Sequence, residues 1–68
     1  GMMGAVVVGP DELVVGMVVK IGSYGYLGEK IVKKVWDPEV IDGERCGTTD
    51  FIGMGLFHGE DTEFMVVA

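Results

Sequence analysis

The 68-residue chain carries 11 acidic and five basic residues, a formal net charge of −6, which argues against a generic nucleic-acid binder. Its single cysteine, Cys46, excludes an internal disulfide, and with His58 as the one other soft ligand a structural zinc is two ligands short. The apolar run Leu13–Val19 is cut by Lys20 far short of the roughly 20 residues of a spanning helix, so no membrane segment is expected.

In chain order, Gly1 ahead of Met2 reads as the remnant of a cleaved tag, which leaves one small domain over residues 2–68. "AVVV" (5–8) predicts a short strand and "GPDE" the turn after it. Alternation over 13–21 places Leu13, Val15, Met17, Val19 and Ile21 on one face of a second strand, with Gly16 as a bend. "IGSYGYLGEK" (21–30) follows, with glycines at 22, 25 and 28 around Tyr24 and Tyr26. "EKIVKKVW" (29–36) fits a short helical stripe, but its β-branched and aromatic residues favour a strand. "DP" and "DG" at 37–43 are turn signals, and "IDGE" is a tight-hairpin candidate. "TDFIGMGLF" (49–57) alternates as one strand, its paired glycines allowing a sharp bend. "HGED" then turns the chain, and "TEFMVVA" (62–68) closes it as a last strand. The fold class is all-β: a small, strongly bent barrel of about five strands, with room for one short helix.

The glycine loop does not have the chemistry of a nucleotide site. Its Gly-x-x-Gly-x-x-Gly spacing differs from the dinucleotide fingerprint, and no Gly-Lys-Ser/Thr closes it. What it offers is two aromatic faces, Tyr24 and Tyr26, beside Lys20 and Lys30, the arrangement that holds single-stranded nucleic acid by stacking. The stretch "GMVVKIGSYGYLGEKIVKKVW" (16–36) resembles the opening hairpin of KOW and related SH3-like barrels, and the glycine-bent strands resemble Sm-like barrels. The resemblance implies contact with single-stranded RNA or DNA, or with ribosomal proteins, and, on the Sm-like side, a ring. The Asp-x-x-apolar-Asn signature of Sm proteins is absent, as are all asparagine and glutamine residues, so weak sequence preference is implied.

Charge is unevenly placed. Residues 17–36 hold four lysines against Glu29, whereas 46–68 hold four acids and no lysine or arginine. The expected nucleic-acid-contacting residues are therefore Lys20, Tyr24, Tyr26, Lys30, Lys33, Lys34 and Arg45, the last as a bidentate phosphate ligand. Cys46, Asp50 and His58 can be named as a nucleophile trio, but nothing in their spacing activates the thiol. No catalytic residue, metal ligand or cofactor is expected. A chain this short buries only about 60% of its unfolded surface. With 49% hydrophobic residues and uncharged β segments near both ends, it is expected to pair with copies of itself through edge strands. One unpaired cysteine suits a reducing compartment, the cytoplasm. The function read from the sequence is a non-catalytic oligomeric binding module, with homo-oligomeric assembly as the alternative.

Overall fold

The computed structural model describes residues 6–21 and 27–68. Within them the chain is all-β: β1 (Val6–Val8), a 3-10 turn (Pro10–Glu12), β2 (Val18–Lys20), β3 (Glu29–Ile41), β4 (Glu44–Phe51), β5 (Met54–Gly59) and β6 (Phe64–Val66). The strands form one antiparallel sheet in the order β1-β6-β2-β3-β4-β5.

The segment that sequence left between helix and strand is strand throughout, as its Ile31, Val32, Val35 and Trp36 favour. Asp42 and Gly43 both have positive φ, 51° and 82°, so "IDGE" makes a two-residue turn that puts Ile41 opposite Glu44.

Three expectations need correction. "DP" does not turn the chain: Pro38 lies inside β3, tolerated because beyond Val32 this strand is paired with β4 on one side only. "TDFIGMGLF" is two strands rather than one. Gly53, at φ 96°, lets Ile52–Gly53 reverse the chain so that Phe51 pairs with Met54, which brings the sheet to six strands where about five were expected. The second predicted strand shrinks to Val18–Lys20, because Gly16 at φ 93° supports a turn in which the Met17 N–H donates to the Val14 carbonyl. Leu13, Met17, Val19 and Ile21 still reach the core, while Val15 is thrown outward.

The register shows how the sheet bends. Val32 pairs with Phe51, Lys34 with Asp50 and Asp37 with Thr48, so β3 spends one extra residue at each of two successive irregularities. Bulges bend the strand that carries them. The bend is large: β5 and β6 stand four positions apart in the sheet, about 19 Å if it were flat. Yet the His58 and Phe64 rings meet edge to face at 5.1 Å, and Phe51 lies 6.2 Å from Phe64. The concave face thereby encloses Val8, Leu13, Val19, Ile21, Val32, Phe51 and Phe64. The end strands β1 and β5 do not pair with each other, so hydrogen bonding does not close the sheet into the expected barrel.

Gly47, buried on β4 opposite Pro38, is the tightest point of the β3–β4 ladder. A Cβ there would overlap the carbonyl of Asp37 and the Cα of Pro38, both backbone atoms that cannot rotate away. Gly47→Ala is expected to destabilise the fold by roughly 1–3 kcal/mol or more. Urea unfolding followed by the fluorescence of Trp36, the sole tryptophan, measures this.

Candidate functional site

Of the residues expected to contact nucleic acid, Tyr24 and Tyr26 lie outside the described residues. The cations do not converge on one face. Lys20 stands opposite Glu29, while Lys30 stands opposite buried Val19, and direct partners share a face; Lys20 and Lys30 therefore point to opposite sides. Lys33 and Lys34 are both exposed at the first register shift, where the strand's strict alternation is broken, and Lys34 sits opposite Asp50.

Arg45 is engaged within the chain. The 3-10 turn is held by the Glu12 N–H donating to the Gly9 carbonyl and the Gly9 N–H donating to Glu12 Oε1, which presents Asp11 to β4. Arg45 Nη1 and Nη2 donate to the two Asp11 carboxylate oxygens at 3.0 and 2.8 Å, and Glu60 lies 3.8 Å away. These hydrogen bonds hold the Asp11 carboxyl below its usual 3.8 and raise the guanidinium further.

The same guanidinium lies 4.9 Å over the Trp36 ring, which stacks on His58 at 5.5 Å and donates its Nε1–H to the Gly47 carbonyl at 3.1 Å. Gly47 is opposite His58 on β5, and the backbone of Asp37 and Pro38 fills the glycine's side-chain position. His58 is fully partnered: Nδ1 donates to the Gly59 carbonyl (3.1 Å), and Nε2 accepts from the Thr49 hydroxyl (2.7 Å). Burial lowers the ring's pKa from 6.5 and so favours its neutral form, the Gly59 bond opposing in part. Cys46 pairs with Gly59, one residue from the Gly47–His58 rung, which places its side chain on the opposite face from the imidazole. The structure does not assemble Cys46, Asp50 and His58. Sequence reading missed the Arg45–Trp36–His58 stack, because its members are separated along the chain and meet only once β3, β4 and β5 are in register.

The sheet edges differ sharply. The part of β3 beyond Val32, with one side free, carries Lys33, Lys34, Asp37, Pro38 and Glu39, and both shifts of its register with β4 end within it. β1 is three valines, with Val6 and Val7 exposed. β5, "MGLFHG", has neither charge nor proline, pairs with β4 in an unbroken register, and presents Phe57 at 62% exposure. Among the described residues no helix is long and apolar enough to cross a membrane, and no group of three metal-ligating side chains forms. No protein-family model, curated protein or solved structure matches the chain.

His58 gives the site a defined pH response. Its folded pKa lies below its unfolded value, so the unfolded chain binds the extra proton. Stability is then fully present above about pH 6.5 and declines as pH falls below it, by up to about 1.4 kcal/mol per unit until the folded pKa is reached. Urea unfolding between pH 7.5 and 5 is expected to show this slope and His58→Gln to flatten it. An NMR titration of the sole histidine is expected to give a midpoint below 6.5.

Proposed function

We propose that this chain is a non-catalytic β module that works by assembling with copies of itself through its unprotected sheet edges. The observation that supports this reading is the contrast between edges. The part of β3 with one side free carries the lysines, proline and bulges that natural sheets use against edge-to-edge pairing, and β1 and β5 carry none of them. Among the described residues thirteen large hydrophobic side chains are exposed, including Val6, Val7, Val18's neighbour Ile31 and Phe57, which an assembly would cover. We read the curled sheet as an open relative of SH3-like or Sm-like barrels, and the free Cys46 thiol as suited to the cytoplasm.

A second reading, contact with single-stranded RNA or DNA, draws support from one observation: Lys33 and Lys34 are exposed side by side at a bulge. Against it stand the divided faces of Lys20 and Lys30 and the engagement of Arg45 by Asp11.

The two readings respond to salt with opposite sign. Copies carrying −6 each repel, and screening relieves that repulsion, so self-association is expected to hold or strengthen as salt rises. Phosphate contacts release counterions, so nucleic-acid binding weakens with salt. Sedimentation equilibrium at tens of micromolar protein, at low and moderate salt, is expected to give a mass above 7.3 kDa. A monomeric mass throughout overturns assembly. Fluorescence anisotropy with short labelled RNA and DNA, showing salt-sensitive binding lost in Lys33→Ala/Lys34→Ala, establishes the second reading.

A further inference from the structure

We infer that β5 pairs antiparallel with the β5 of a second copy, about a two-fold axis passing through Leu56. The inference rests on the assembly reading and specifies its geometry. β5 is the longer of the two unprotected end strands, six residues against the three of β1, and its ladder to β4 runs without a shift from Cys46↔Gly59 to Phe51↔Met54. Its other side has no partner among the described residues. Along it, Met54, Leu56 and His58 face the core side, opposite Phe51, Thr49 and Gly47, while Gly55 and Phe57 face outward, opposite Asp50 and Thr48. Met54 and Leu56 pack on the core yet remain only half-buried, so a strand added at this edge would continue the apolar layer.

A two-fold antiparallel pairing that keeps both core faces on the same side must centre on a residue, and four centres bring at least three rungs of β5 together. Centred on His58, it sets Leu56 against the second copy's Glu60. Centred on Phe57, it sets Met54 against the second copy's Glu60, an acid beside an apolar side chain. Centred on Gly55, it spends its rungs on the Ile52–Gly53 turn and leaves a short ladder. Centred on Leu56, it sets Leu56 against Leu56 and Met54 against His58 on the core side. On the outer side Phe57 then lies over the second copy's Gly55, twice by symmetry, an aromatic ring covering a glycine's bare backbone. That register brings no charged residue of β5 itself to the seam; the nearest charge is the Asp50 carboxylate on β4, which lies beside Gly55. A two-fold pairing is closed, so it ends at a dimer.

The test uses the full chain with Cys46→Ser as background. Directly opposed residues have Cα atoms about 4.5–5.5 Å apart, within disulfide reach. Leu56→Cys is expected to form an intermolecular disulfide under mild oxidation, and Phe57→Cys is not, because its counterpart is Gly55. Phe57→Lys changes an exposed side chain and spares the core. It is expected to weaken the dimer at least tenfold in sedimentation equilibrium with an unchanged circular dichroism spectrum. A dimer that cross-links through Phe57→Cys, or that is indifferent to Phe57→Lys, overturns the register while leaving assembly standing. An oligomer larger than a dimer overturns the two-fold pairing and favours head-to-tail joining of β5 to β1. A monomer at every concentration overturns the assembly reading itself.

Discussion

The fold turns on the absence of a side chain at Gly47. Because β4 presents bare backbone there, β3 can approach until Asp37 and Pro38 occupy the space a Cβ would need, and the Trp36 indole can bond to the Gly47 carbonyl. The indole then reaches His58 on the next strand, and His58 in turn meets Phe64 from the far end of the sheet. One missing methyl group thus links β3, β4, β5 and β6 in a single aromatic run. Arg45 extends the run on the other side of Trp36 and ties it through Asp11 to the turn after β1. A seven-kilodalton chain with no disulfide has few ways to hold a curled sheet. Here the curvature is held by ring contacts between strands that share no hydrogen bonds.

The two extra residues in β3 serve the same end. The four steps from Val32 to Trp36 span what β4 covers in two, so both apolar side chains return to the core face while Lys33, Lys34 and Val35 are left outside. Parity along an ideal strand would put Lys34 on the same face as Val32 and Trp36, in the core. The shifts remove that conflict, setting Lys34 opposite Asp50. They also bend the strand at the point where it leaves β2, which is where the sheet must turn over to bring β4 and β5 above β6.

Signals that act within a few residues were legible in the sequence. The β-branched composition of 29–36, the Asp-Gly hairpin and the apolar ends each predicted the local structure that forms. Ile52–Gly53 was not legible as a turn, because Phe51, Ile52, Met54 and Leu56 continue the alternation of a strand straight through it. Only Gly53's positive φ marks the reversal. Pro38 misled for the opposite reason: "DP" is a turn signal unless the strand has a free side, and that depends on where β2 ends. The Arg45 guanidinium looked free for phosphate because Asp11, 34 residues away, gave no local sign of being its partner.

Stability and assembly meet on β5. His58, Leu56 and Met54 form one row on its core side: both ring nitrogens of His58 are hydrogen-bonded, and the other two are half-covered. His58 is held by Thr49, Trp36 and Phe64, and beyond the row the free side of β5 has no partner strand among the described residues. A monomer must leave that edge wet, at the cost of apolar surface that its small core cannot absorb elsewhere. Blunting the edge with a lysine would protect the monomer against pairing, as Lys33 and Lys34 do on β3, and would leave the half-covered row as it is. In the proposed dimer a second strand covers it. The chain has the means to protect an edge and uses them on β3 but not on β5, which is why the proposal places the second strand there.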